Sequence, residues 1–281
     1  MTAKKLWSPS TTKNNLNLFL EYIGDKFNFK SYSDLHKWSI DNKEIFWDKF
    51  WSFTDIQGDK KDDIFTESTH FIETKFFNSS KLNYAENCLQ KDTDDDAIIF
   101  YNEQKLSKRI SWKQLRKNVF KISHYFKSKN INQNDRIAAV LPNIPETVEA
   151  FLACAQLGAI WSSCSSDFGA KAIIDRFKQI DPKILIITDY YFYNNKKIDT
   201  LKDIHSIIKE IPSIENIILI PYADDKILVE TFEFTNWNEI LNTTNKFEKF
   251  EKFDFNHPLY ILFSSGTTGA PKCIVHGAGG S

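Results

Sequence analysis

Between residues 97 and 263, short β-branched runs alternate with amphipathic helical stretches, and this alternation constrains the fold more than any other feature of the chain. The runs AIIFY (97–101), RIAAVL (136–141), AIWSSC (159–164), ILIIT (184–188), NIILI (216–220) and LYILF (259–263) read as strands, RIAAVL as a buried one and ILIIT as an apolar one. A further short strand is expected at KRI (108–110). Ser111 with Gln114 three residues later predicts a capping box, opening a helix to about Lys129 with Leu115, Val119, Ile122 and Phe126 on one face. A second helix is expected to bury Val148, Phe151, Leu152 and Ala155 and to stop at Gly158. Asp167 is placed to cap a third helix carrying Ile173, Ile174 and Phe177, and further helices are expected at 200–211 and 237–241. The pattern predicts an α/β fold with a mainly parallel sheet flanked by helices, whose site lies beyond the carboxyl ends of the strands.

The first 90 residues have a different texture. HKWSIDNKEIFWDKFWSF places Trp38, Phe46, Trp47, Phe50, Trp51 and Phe53 at helical spacing, which predicts a mostly helical segment packed through aromatic rings. The acidic QKDTDDDA (90–97) marks the expected boundary, giving a segment 1–90 and a domain 91–281. KFEKFEKFDF (246–255) reads as a solvated amphipathic connector.

Composition removes several function classes. The 36 Lys and Arg nearly cancel the 37 Asp and Glu, leaving a net charge of −1, so no field favours nucleic acid or an anionic membrane surface. No apolar run approaches the roughly 20 residues that span a bilayer. MTAKKLWSPSTTKNN lacks the apolar core of a signal peptide, so a cytoplasmic location is expected. Cys88, Cys154, Cys164 and Cys273 match no zinc spacing and are expected to be reduced and mostly buried, with no protein metal site.

Chemistry concentrates in one string directly after LYILF: Ser264, Ser265, Gly266, Thr267, Thr268, Gly269, Ala270, Pro271 and Lys272. Gly266 and Gly269 allow close backbone approach, so that consecutive N–H groups can form an anion-binding nest. The four hydroxyls add donors, and Lys272 adds a full positive charge. The common P-loop needs Gly-Lys-Ser/Thr after its second glycine, whereas Ala270 and Pro271 follow Gly269 here. His276 follows closely, but no nucleophile nearby would need it, and a structural role is expected.

SSGTTGAPK resembles the phosphate-binding signature of the adenylate-forming enzymes. LNYAEN (82–87), LPNIPETVEAFLACAQLGAIWSSCSSDFG (141–169), RFKQIDPKILI (176–186) and IVHGAGG (274–280) are similar to the acetyl- and acetoacetyl-CoA synthetase branch of that family. YSDLHKWSIDNKEIFWDKFWSF resembles the helical segment that precedes the catalytic domain in the same branch. The resemblance implies the N-terminal part of the adenylate-forming fold and activation of acetoacetate by ATP with Mg²⁺, followed by transfer to coenzyme A. An acetyl- or other short-chain acyl-CoA ligase, or a non-catalytic nucleotide-binding remnant, is the alternative. It assigns Ser264, Ser265, Gly266, Thr267, Thr268, Gly269 and Lys272 to nucleotide phosphates, and Lys196 or Lys197 in YNNKK to coenzyme A. In this branch a basic, glycine-rich stretch meets coenzyme A, and that pattern is lost here; Ala278 also stands where a second histidine is expected. The family's adenine motif and catalytic lysine lie downstream of the loop, so the resemblance places the catalytic residues beyond Ser281 and implies a chain without ligase turnover by itself.

Overall fold

The structure is a computed structural model that describes residues 6–7, 14–24, 29, 31–105, 107–222, 232–244, 249–264 and 269–281. The chain divides into two compact units, Met1–Ser79 and Ser80–Ser281. The division falls before LNYAEN, so the residues from Ser80 to the acidic segment belong to the second unit.

In the first unit, helices Asn15–Ile23, Tyr32–Asp41 and Lys43–Phe53 pack through aromatic rings. Phe19 lies 5.1 to 5.9 Å from Phe46, Phe50 and Phe53, all edge to face. Asn14 and Ser31 cap the first two helices by accepting from Asn17 N and Asp34 N. The expected aromatic stripe is real but not uniform: Trp51 is buried, whereas Trp47 is exposed.

The second unit is built on a seven-stranded sheet. Its order is Thr235–Asn236, Asn216–Ile220, Ile184–Thr188, Arg136–Val140, Ile160–Cys164, Pro258–Phe263 and Cys273–Gly277. Every neighbouring pair is parallel except the last, in which Pro258–Phe263 meets Cys273–Gly277 antiparallel. Strand Arg136–Val140 lies between the two strands that follow it in the chain, so the crossovers on its two sides leave a crevice at the carboxyl edge. One face packs Ala138, Val140, Cys164, Leu185, Ile187 and Leu219 against Ile173, Phe177, Ile204 and Ile207 of helices Ala170–Phe177 and Ile204–Glu210. The alternate residues Ile137, Ala139, Ile184, Ile186 and Ile218 are also fully buried, which explains the continuous apolar runs.

Helix Trp112–Ser128 begins as expected, with Ser111 Oγ accepting from Gln114 N at 3.2 Å. The Gln114 side chain does not close the box; it donates to Asn118 Oδ1 at 2.5 Å. Three expectations need correction. Asp167 does not cap the helix Ala170–Phe177, which starts from Gly169 with no side-chain cap. The helix expected at 200–211 is a 3₁₀ turn, Leu201–Asp203, followed by Ile204–Glu210. The connector is amphipathic as expected but solvated on one side only over its described part: Lys249, Glu251, Lys252 and Asp254 are exposed, Phe253 and Phe255 are buried, and the Phe250 ring lies tilted 5.1 Å from Phe120 with Arg116 against both rings. Its residues 246–248 lie outside the described residues. Asn83, itself fully buried, donates to the carbonyls of Gln156 (3.0 Å) and Glu251 (2.7 Å), joining the short helix Tyr84–Cys88 to that connector.

Helix Pro145–Gln156 buries Leu152 and Ala155 as expected and half-buries Phe151, but its inward face is wider than the expected stripe and leaves Val148 out. Val148 is 36% exposed, while Glu149 is 1% exposed among Ala150, Leu152 and Ala153. Glu149 Oε1 accepts from Asn118 Nδ2 at 2.7 Å, and its Oε2 has no hydrogen-bond partner among the described residues. Burial pushes this carboxyl up from 4.5 to about 7, against the Asn118 hydrogen bond and with a further push from Glu146, which is itself paired with Lys108 at 2.6 Å. A carboxyl with a raised folded-state pKa contributes most below pH 4.5 and loses its contribution as pH rises to about 7. The size of this loss is about 3 kcal/mol. Glu149→Gln is therefore expected to flatten the fall in melting temperature between pH 5 and pH 8, measured by calorimetry. An unchanged pH slope would show that Glu149 ionises in the folded state without cost.

Candidate functional site

The sheet delivers two segments to its carboxyl edge. Strand Pro258–Phe263 runs parallel to Ile160–Cys164, with Tyr260 opposite Trp161, so the chain leaves Phe263 beside the turn that follows Cys164. Ser162 Oγ donates to the Ile261 carbonyl at 2.9 Å and adds a buried side-chain tie between these strands. The chain then makes its Ser/Thr/Gly loop and returns along Cys273–Gly277, with Phe263 opposite Cys273.

Of the expected loop residues, Ser264, Gly269 and Lys272 are described; Ser265, Gly266, Thr267 and Thr268 lie outside the described residues. The base of the loop is closed twice. Ser264 N–H donates to the Lys272 carbonyl at 3.0 Å, and Lys272 N–H donates to Ser264 Oγ at 3.1 Å. Ser264 is therefore a closing residue, and the Lys272 side chain is exposed beside it. A loop whose ends are already joined has lost part of the entropy that anion binding would otherwise remove.

The second segment is the hairpin Tyr190–Tyr193 with Lys196–Asp199. Asn194 and Asn195 make its turn with φ of 51° and 59°, the left-handed pair that a two-residue hairpin turn needs and asparagine tolerates. Its root is held by Asp189, whose Oδ1 accepts from Tyr190 N (2.9 Å) and Tyr222 N (2.7 Å). Its tip is held by Glu103 Oε1, which accepts from Asn195 N at 3.2 Å. The two candidate lysines lie on opposite faces. Lys197 pairs with Phe192, and its Nζ sits 3.9 Å from the centre of the Tyr190 ring. Lys196 pairs with Tyr193 on the face of Tyr191 and Ile198. These last two line a cavity of about 100 Å³ with Val140, Ser166, Gly169 and Thr200. Asp167, Asp199 and Asp203 line the same cavity and oppose anions there.

A cavity of about 350 Å³ beside Phe120, Gln156 and Leu157 lies at the amino end of strand Ile160–Cys164 and has no part in this site. His276 stacks on Tyr260, ring centres 4.7 Å apart, a packing position. All four cysteines are free; Cys154 and Cys164 are buried and Cys273 is exposed. Burial pushes the Cys164 thiol up to about 11, with Arg176 acting in the opposite direction. Among the described residues no group of three His, Cys, Asp or Glu side chains is placed to hold a metal ion, and no helix is long and apolar enough to cross a membrane.

The sheet is open and mainly parallel, and the segment closed between Ser264 and Lys272 leaves it at the carboxyl edge, where sheets of this kind bind ligands. Residues 85–280 match the family described as "AMP-binding enzyme", and the chain belongs to that family. It is 38% identical to the acetoacetyl-coenzyme A synthetase of Rhizobium meliloti (strain 1021), over 99% of this chain and 44% of that protein. It is 35% identical to the acetoacetyl-CoA synthetase of Xenopus tropicalis, over 100% of this chain and 44% of that protein. The solved acetoacetyl-CoA synthetase from Streptomyces lividans superposes with a TM-score of 0.91 at 29% identity, covering 99% of this chain and 44% of that one. The chain thus spans less than half the length of these relatives and has the fold of the corresponding part of the Streptomyces protein.

Two positions carry geometry that the sequence pattern did not mark: Asp189, at the root of the hairpin, and Gln179, whose amide reaches the loop. Asp189 follows an apolar strand and could have been suspected as a carboxylate at a carboxyl end; Gln179 gave no signal. Replacing Ser264 by Ala removes one of the two closing bonds, worth about 1 kcal/mol, and is expected to speed amide exchange at Lys272 by about fivefold. Unchanged exchange would mean that the backbone bond alone closes the loop.

Proposed function

We propose that the protein to which these residues belong joins acetoacetate to coenzyme A through an acyl-adenylate. In the first step a carboxylate oxygen of the acid bonds to the α-phosphorus of ATP while the bond to the bridging oxygen breaks and pyrophosphate leaves. In the second step the coenzyme A sulfur, having given up its proton, bonds to the acyl carbon and AMP leaves with the electron pair. The observation that carries this is the doubly closed Ser264–Lys272 loop at the carboxyl edge of the sheet. The acyl assignment is supported by the likeness, over nearly the whole chain, to proteins named acetoacetyl-CoA synthetase.

In this mechanism Ser264, Ser265, Thr267 and Thr268 donate hydroxyl or backbone hydrogen bonds to the leaving phosphates. Gly266 and Gly269 let the backbone approach them, and Lys272 offsets the charge that grows on pyrophosphate. Mg²⁺ would supply further charge neutralisation on the phosphates. Coenzyme A would bring its phosphates to the hairpin. Lys196 is the better placed contact, because Lys197 already rests on Tyr190. The carboxylates of Asp167, Asp199 and Asp203 would keep a phosphate from moving deeper into the cavity. The same proposal expects no complete turnover from these 281 residues alone, since they match 44% of the length of the synthetases.

The test is pyrophosphate release by the whole protein with ATP, coenzyme A and one acid at a time. Acetoacetate is expected to exceed acetate and butyrate in kcat/KM by at least about tenfold, the discrimination that pocket contacts of this size supply. Lys272→Ala is expected to lower kcat/KM for ATP by roughly 10- to 100-fold, the range for a charged hydrogen bond. A preference for acetate or butyrate would refute the acyl assignment, and no acid-dependent pyrophosphate release would refute the adenylation chemistry.

A further inference from the structure

Gln179 lies two residues beyond helix Ala170–Phe177, exposed to solvent, and yet each polar group of its amide is engaged. Nε2 donates to the Asp175 carbonyl at 2.7 Å and to the Pro271 carbonyl at 2.9 Å. Oε1 accepts from the Cys273 thiol at 3.6 Å. The orientation of the amide follows from its partners: two carbonyls can only accept, so nitrogen must face them, and the thiol then meets the oxygen. The bond to Asp175, in the helix just before it, fixes the side chain and aims the second N–H at Pro271.

Pro271 has no N–H, and its carbonyl is the last backbone group before Lys272. Lys272 is already joined through both backbone groups to Ser264. The loop exit is therefore held from both sides, by Ser264 across the hairpin and by Gln179 from the neighbouring helix. We infer that Gln179 is a positioning residue for the phosphate-binding loop, tying Pro271 to the end of helix Ala170–Phe177 so that Lys272 meets the nucleotide already ordered. The inference rests on the proposed nucleotide role of the loop. Glutamate would present oxygen to two carbonyls, leucine would offer no donor, and asparagine is one methylene shorter, so none of the three reproduces this pair of bonds.

Gln179→Leu and Gln179→Glu test this in the whole protein. Both sit at an exposed position and remove nothing from the core. The expected result is a KM for ATP raised about tenfold, with the KM for the acid unchanged and the melting temperature within about 2 °C of wild type, the glutamate variant being the worse of the two. Titration calorimetry with ATP and Mg²⁺ in the absence of acid should show the same loss of affinity. Variants with a wild-type KM for ATP would overturn the inference. So would variants in which both KM values, kcat and the melting temperature fall away together, since that pattern belongs to a merely structural contact. If wild-type protein itself shows no ATP binding in the calorimeter, the nucleotide assignment of the loop has failed, and that outcome is visible before any variant is compared.

Discussion

Parallel pairing of strand Pro258–Phe263 with Ile160–Cys164 is the contact on which the site depends, because it brings a segment about a hundred residues downstream to the edge where the earlier strands end. Parallel ladders point all their carboxyl ends one way, and six of the seven strands here are joined in that sense. Such a sheet is stable only when both faces are covered, and the fully buried Ile137, Leu185, Ile186 and Ile218 show that they are. Burial on this scale makes a stiff platform, so the loops at its carboxyl edge inherit fixed starting points.

Local polar bonds then convert fixed starting points into fixed loops. The Asp189 carboxylate joins the ends of two strands to the root of the hairpin, and Ser264 joins the two ends of the phosphate loop. On the far side of the sheet, His257 Nε2 lies 2.8 Å from the Gly158 carbonyl. Gly158 takes φ +66°, and a Cβ there would come within 2.7 Å of the Phe253 ring. That close approach locks the supposed connector onto the start of strand Ile160–Cys164. Such bonds contribute individually about 1 kcal/mol, and their effect is to select one geometry for segments that hydrophobic packing alone leaves open.

Strands and helix faces were legible in the sequence wherever side-chain burial sets the pattern, as in RIAAVL, ILIIT and the face of Leu115, Val119, Ile122 and Phe126. The loop proposed to bind phosphate stood out as a string of residue types, because glycine, hydroxyl and lysine chemistry needs no tertiary partner to be recognised. Glu149 was missed since a charge on a helix predicts solvent, and only its neutral form and the Asn118 amide make burial tolerable. The connector was read only in part: its Lys and Glu residues do face solvent, whereas Phe253 and Phe255 share the other, buried side of an extended chain. Gln179 and Asp189 act through backbone groups remote in sequence, and no local pattern records such partners.

The central claim is that the loop closed by Ser264 and Lys272 is a phosphate site ordered before its ligand arrives. Amide NMR during titration with magnesium pyrophosphate tests it most directly. The account predicts saturable shifts at the amides of Ser264 through Lys272, with the amides around Phe120 and His124 unmoved. Shifts confined to the surface lysines, or none at the loop at millimolar pyrophosphate, would contradict it.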